Sequence, residues 1–203
     1  MHKLVLFDIG HVLVHLAGPS VIKRLAKQNL TDEHIHSTWL SIPGVSRFET
    51  GKCEVSEFAS SVIEFYDLDC TEHDFASHFR DAAERKFDGV DEYLFQLAST
   101  HELACLTNTN PLQWPKIRDE FGLGRHFSKQ YVSYELGLMK PGDEIFEYVL
   151  RDTALLPEEI LFIDDNIHNC STAQSAGYDV CHVSSFENTV DQVNAKLYQG
   201  RIK

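Results

Sequence analysis

The sequence is short of positive charge. Lys and Arg number 18 against 31 Asp and Glu, a formal net charge of −13 over 203 residues. Such a chain lacks the basic footprint of non-specific nucleic-acid binding and of an anionic membrane surface, so neither partner is expected. A small anionic ligand stays open, because one buried lysine can govern its own crevice in a negative molecule. Long apolar runs are also missing. None approaches the roughly 18 residues of a membrane span, and the N-terminal run Leu4–Phe7 is cut at Asp8 with no small-residue cleavage site behind it. Cysteine is sparse: Cys53, Cys70, Cys105, Cys170 and Cys181 are odd in number, widely spaced and form no C-x-x-C. This argues against a disulfide frame or zinc knuckle and for reduced thiols packed as small hydrophobes, hence a cytoplasmic setting. There is no repeat, low-complexity tract or Pro/Gly/Ser-rich linker. What is present, 43% hydrophobic and 11% aromatic residues, suffices for one packed core with a small insert and excludes disorder as the main state.

The chain changes character twice. Residues 3–14 read as a buried strand and its exit, a continuous apolar run suited to a sheet covered on both faces. Residues 15–88 show no Val/Ile-rich strand and read as about four helices. Gly18-Pro19-Ser20 and Thr31-Asp32-Glu33 open the first two, and Ser56 precedes a stripe of Phe58, Val62, Ile63 and Tyr66. Thr71 to Asp74 resembles a capping box. From residue 89 strands and helices alternate: a helix near 90–99, strand 103–106, a helix from Pro111 to Gly122, a strand near 131–133, a helix from Asp143 to Arg151, strand 160–163, a helix ending at Gly177, and a last strand at 180–183. Alternation of this kind predicts an α/β fold, a Rossmann-like parallel sheet core (1–14 and 89–203) with an inserted all-helical cap (15–88).

The polar residues sit at strand ends. They are Asp8, then Thr107-Asn108-Thr109-Asn110, then Lys140-Pro141, then Asp164-Asp165-Asn166. A parallel sheet brings its carboxyl ends to one edge, where open α/β sheets bind ligands. Asp8 and Asp165 are hard oxygen donors suited to Mg²⁺. A lysine and a hydroxyl suit phosphate oxygens, and a carboxylate beside them can attack phosphorus.

These four segments, in this order and spacing, resemble the haloacid dehalogenase-like hydrolase superfamily, with the helical insert where that family carries its cap. The Asp8-Ile9-Gly10, Thr107-to-Asn110 and Asp164-to-Asn166 segments look most like the bacterial alpha-D-glucose-1-phosphate phosphatase group. The phosphatase domain of soluble epoxide hydrolases is a more distant likeness. The resemblance implies Mg²⁺ and a small phosphorylated substrate. Asp8 would be nucleophile and metal ligand, Gly10 would lend its carbonyl to the metal, and Asp165 would ligate it, with Asp164 and Asn169 in support. Thr107 and Lys140 would act in catalysis and hold the phosphate. Asn108 and His11 beside them are read as further substrate contacts, as are Arg47 and Glu49, which sit before Gly51 in a cap turn that can face the site.

One position departs from the pattern. Most phosphatases of the superfamily carry a second Asp two residues after the nucleophile, as acid and base; here Gly10 stands there. A missing acid/base costs about 10²–10⁴ in rate, and His11 is the nearest titratable substitute. Gly10 therefore supports a rival reading, a catalytically weak phosphate-binding or regulatory protein. A second rival, a 2-haloacid dehalogenase, would place Tyr at that position. Trp39 and Phe48 read as cap core, and Trp114 as either core or pocket wall. His34 and His36, two apart on a helix, do not form a metal pair. A monomer is the default, with a weak dimer through the cap as the alternative.

Overall fold

The computed structural model describes residues 2–198. Strands β1 (Leu4–Phe7), β4 (Glu102–Thr107), β5 (Lys129–Val132), β6 (Ile160–Asp164) and β7 (Asp179–His182) form one sheet in the order β5-β4-β1-β6-β7. All neighbours run parallel. Alternate residues leave opposite faces of a strand, and the sheet is buried on both. Val5, Phe7, Leu103, Cys105, Leu161 and Ile163 belong to one apolar layer, and Leu4, Leu6, Ala104, Leu106, Ile160 and Phe162 to the other. Helix α6 (Val90–Ala98) and the C-terminal α10 (Phe186–Tyr198) cover the first face; α8 (Asp143–Thr153) and α9 (Ile167–Ser175) cover the second. The short α7 (Ser133–Leu136) follows β5 directly. Cys105, Cys170 and Cys181 are buried, as expected of cysteines used as small hydrophobes. No helix among the described residues is long and apolar enough to cross a membrane.

The order places β1 between β4 and β6, so the chain builds outward from β1 in both directions. The carboxyl end of β1 is therefore the point where the topology reverses and a crevice must open. Asp8 is the first residue beyond that end.

Between β1 and α6 lie five helices, one more than the sequence pattern suggests: α1 (Gly18–Leu25), α2 (Asp32–Thr38), α3 (Pro43–Glu49), α4 (Val55–Tyr66) and α5 (Glu72–Asp81). Local chemistry sets their ends. Pro19 opens α1, and the Thr31 and Thr71 side chains accept from His34 N and Asp74 N to cap α2 and α5. These helices bury their own aromatic cluster, in which Phe58 touches the rings of Phe48, Phe75 and Phe79. The insert is not all-helical. β2 (Val14–Leu16) and β3 (Ala83–Lys86) pair antiparallel at its base. They are too short and too polar (Ala83-Glu84-Arg85-Lys86) to carry a strand signal, and only the return of the chain at residue 83 pairs them. Two other expectations change. The helix expected from Pro111 starts at 114 after a turn, and ends at Gly122 with φ +70°. Helix α10 was not anticipated; its apolar positions are spread among polar ones, and it is recognisable by what it covers.

The cap turn after α3 rests on the core. Gly51 has φ +67°, and a Cβ there would overlap the Tyr134 carbonyl oxygen. Lys52 Nζ reaches the Gly137 carbonyl at 3.4 Å. Gly51→Ala is expected to lower unfolding stability by about 1–2 kcal/mol from the left-handed backbone alone, with further loss from the lifted contact. A urea titration of the two proteins measures it.

Candidate active site

Asp8 leaves the end of β1 hydrogen-bonded through its backbone N–H to Ile163 on β6 at 2.8 Å. The chain then turns sharply. Val12 N donates to the Gly10 carbonyl at 2.6 Å, Leu13 N to Ile9 O at 2.9 Å, and His11 takes φ +56°, a conformation a non-glycine residue adopts only when its surroundings hold it there. Gly10 is where this turn meets the cap base. A Cβ on it would lie 2.7 Å from Leu16 Cδ1. Leu16 thus occupies the space an acidic side chain at position 10 would need.

Lys140 is the centre of the site. Its side chain is 1% exposed, and Nζ donates to Asp8 Oδ1 at 2.7 Å and to Asp164 Oδ2 at 2.6 Å. Its backbone is held as firmly. Lys140 N donates to Asn108 Oδ1 (2.9 Å), and Asn108 Nδ2 donates back to Lys140 O (2.8 Å). The loop after β4 is locked similarly, with Thr109 N donating to Ser133 Oγ (2.9 Å) and Ser133 Oγ to Thr109 O (3.1 Å). Asp164, with no exposed surface, also accepts from Asn166 N and, at both oxygens, from Asn169 Nδ2 at 3.0 and 3.1 Å. Its hydrogen-bonding capacity is taken up inside the protein. Asn166 caps α9 by accepting from His168 N.

The electrostatics follow from this packing. Burial pushes the Asp8 carboxyl up to about 7; the Lys140 ammonium opposes the rise, and the charges of Asp164 and Asp165 add to it. Asp165 is also raised, chiefly by burial and then by the charge of Asp164, with His11 and Lys140 opposing. Lys140 stays charged: burial disfavours its ammonium, but the two carboxylates together outweigh that. Carboxylate oxygens of Asp8, Asp164 and Asp165 lie within 4.8 Å of one another. Since Asp164 is saturated, Asp8, Asp165 and the second lone pair of the Gly10 carbonyl form the available set. Three hard oxygens on a half-open crevice fit a small divalent cation that keeps waters.

A cavity of about 360 Å³ opens here between the sheet edge and the helical insert. Its floor includes Asp8, Gly10, His11, Asn108, Lys140, Asp165 and Asn169, and Trp39 and Phe79 are among the insert residues above it. The structure thus brings most of the sequence-predicted residues to one place, with three differences. Arg47 does not line the cavity. It is exposed on α3, where it pairs with Glu57 and donates to the Lys52 carbonyl at 3.1 Å. Glu49 lines the cavity instead, since residues two apart on a helix face different ways. The Asn108 side chain is committed at both ends to the Lys140 backbone, so its role is to position Lys140. Thr107, the last residue of β4, is buried behind Asn108. Phe48 and Trp114 are core, while Trp39 both packs on Phe79 and lines the cavity. His36 faces the cavity, and His34 sits edge-on to the Tyr66 ring. Asn110 and Gln113 also line the wall; Gln113 Nε2 donates to Phe79 O at 2.8 Å, tying the core loop to α5. Asn110 belongs to the polar segment that ends β4, whereas Gln113 carries no sequence signal.

A family profile described as haloacid dehalogenase-like hydrolase matches residues 2–177. The chain belongs to that family. It is 27% identical over 190 residues to a D-ribitol-5-phosphate phosphatase of Bacteroides thetaiotaomicron, covering 88% of this chain and 90% of that one. It is similar to a solved HAD family enzyme from Bacteroides thetaiotaomicron with TM-score 0.79 and 25% identity, covering 95% and 98% of the two chains. A magnesium complex of that enzyme gives TM-score 0.74 at 25% identity over 91% and 94%. The L-2-haloacid dehalogenase of Xanthobacter autotrophicus shares the fold, with TM-score 0.67 and 21% identity over 100% and 85%.

In this hydrolase Lys140 neutralises two buried carboxylates that have no other cation beside them. Lys140→Met is expected to destabilise the protein by about 3–5 kcal/mol near pH 8, the cost of an uncompensated buried charge. Without the ammonium, the Asp8 carboxyl, already raised by burial, holds its proton more tightly folded than unfolded. The folded state then takes up protons as pH falls, so the deficit shrinks by pH 5. Urea titrations of both proteins at the two pH values check the sign.

Proposed function

We propose that this chain is a Mg²⁺-dependent phosphomonoesterase of a small phosphorylated metabolite such as a sugar phosphate, working through an aspartyl-phosphate on Asp8. The observation that carries this reading is Lys140, buried at the topological switch point with Asp8 on one side and Asp164 on the other. That arrangement presents a carboxylate nucleophile and a fixed positive charge to one incoming group. The phosphatase relative and the magnesium complex of a similar enzyme support the substrate class and the metal.

Asp8 spends Oδ1 on Lys140, leaving Oδ2 to attack phosphorus. The Asp8 O–P bond forms as the ester P–O bond breaks, and the departing alkoxide takes up a proton. Gly10 cannot supply that proton, so it comes from His11 or from water. Water then attacks phosphorus, the acyl-phosphate P–O bond breaks, and phosphate leaves with Asp8 restored. Lys140 holds the phosphoryl oxygens, and Asn108 holds Lys140. Asp8, Asp165 and the Gly10 carbonyl would hold Mg²⁺, which when bound neutralises charge on the transferring group. Asp164 and Asn169 brace Lys140 from behind. Residues 15–88 act as a cap that excludes bulk water and selects the substrate, with 1–14 and 89–203 as the catalytic core. We place the protein in the cytoplasm as a monomer or weak dimer, with no nucleic-acid or membrane partner.

Gly10 favours the rival reading of a phosphate binder with little turnover, and one assay separates the two. Wild type is expected to release phosphate from a panel of sugar and nucleotide phosphates with Mg²⁺ and not with EDTA, and Asp8→Asn to release none. Binding of inorganic phosphate without turnover of any panel member, in folded protein, would select the binder. Because the Asp8 carboxyl titrates at about 7 without metal, Mg²⁺ must displace its proton. Mg²⁺ affinity is then expected to weaken about tenfold per pH unit below 7, with about one proton released on binding at pH 6. Titration calorimetry in two buffers of different ionisation enthalpy measures both.

A further inference from the structure

Glu49 is a charged-type side chain in an apolar wall with no cation to meet it. It ends α3 and lines the cavity on the insert side, among Ile22, Ile35, Trp39, Leu40 and Phe79. The one hydrogen bond to its carboxyl is the Trp39 indole N–H, 3.4 Å from Oε1. The nearby cations look elsewhere: Arg47 pairs with Glu57, and Lys52 reaches the Gly137 carbonyl. His36 is the other titratable residue of the insert that lines the cavity. Burial pushes the Glu49 carboxyl up to about 7, with the indole partly offsetting it, and no charge from Asp8, Lys140 or Asp165 enters. Glu49 belongs to the insert side of the cavity, while Asp8, Lys140 and Asp165 line it from the sheet edge.

A half-buried carboxyl group so placed, with one oxygen on the Trp39 indole and the other uncommitted, finds its remaining partners in water or in the ligand that displaces it. As an acid it offers one O–H donor and an acceptor oxygen, the complement of an alcohol. A second anion on the ligand would meet this carboxyl and no fixed cation. We propose that Glu49 is the specificity-determining residue of the cavity, hydrogen-bonding hydroxyls on the end of the substrate remote from phosphorus, so that the enzyme selects monophosphates of uncharged polyhydroxylated chains over those with an apolar or anionic tail. This rests on the phosphatase reading and narrows its substrate class.

The test compares D-ribitol 5-phosphate with pentyl phosphate, which has the same chain length and no hydroxyls, in wild type, Glu49→Ala and Glu49→Gln. Wild type is expected to prefer the ribitol ester in kcat/KM by about tenfold or more, since a site built for a hydroxyl rejects the analogue lacking it. Glu49→Ala should lose that ratio, mostly through KM for the ribitol ester. Glu49→Gln, which keeps a donor and an acceptor, should hold it within about threefold. A ratio unchanged in Glu49→Ala, or no wild-type preference, overturns the proposal and leaves the phosphatase reading standing. No release from either ester by wild type that does turn over another phosphate of the panel overturns this proposal alone; no release from any panel member overturns the phosphatase reading as well.

Discussion

The buried ammonium of Lys140 is the interaction on which the rest of this structure depends. Desolvating one lysine and two aspartates is expensive, and the mutual attraction offsets it only when every remaining hydrogen-bonding position is filled. Here they are filled by Asn108 on the lysine backbone and by Asn166 N and Asn169 on Asp164. Those groups come from the ends of β4 and β6 and the start of α9. The charge cluster thus also clamps the carboxyl edge of the sheet, and the geometry that stabilises the lysine prepares the site.

The two aspartates next to Lys140 have different fates because of what surrounds them. Asp164 is closed in and saturated, so its work is electrostatic and structural. Asp8 keeps an oxygen free and faces the cavity, and its carboxyl holds a proton to near neutrality. Asp165, one residue further along, has turned outward from the strand and is half-buried. Adjacent carboxylates of the same chemistry thus part at the end of the strand, one closed in behind Lys140 and one lining the cavity.

The helical insert contributes in a different way. It has its own apolar cluster and reaches the core through the β2–β3 ribbon and the Gly51 turn. Through Leu16 it also fills the space beside Gly10. Above the site the insert supplies an apolar wall interrupted by Glu49.

How much of this was legible in the sequence varies with the range of the interaction. Strands buried on both faces announce themselves as short apolar runs, and Thr31 and Thr71 cap helices through bonds to residues three positions on. Strand-end residues are legible for the same reason, because parallel strands bring their ends together whatever the details. So the α/β class, the place of the insert, and the meeting of Asp8, Lys140 and Asp165 at one sheet edge were determined by the sequence alone. Contacts between distant segments were not. The β2–β3 ribbon needs residue 83 to return beside residue 16. The choice of Glu49 over Arg47 depends on the angle at which α3 meets the cavity. Asn108 becomes a clamp on Lys140 because residues 32 apart meet at the sheet edge. Those were decided by tertiary structure, since side-chain partners across a fold are set by packing, which no local pattern encodes.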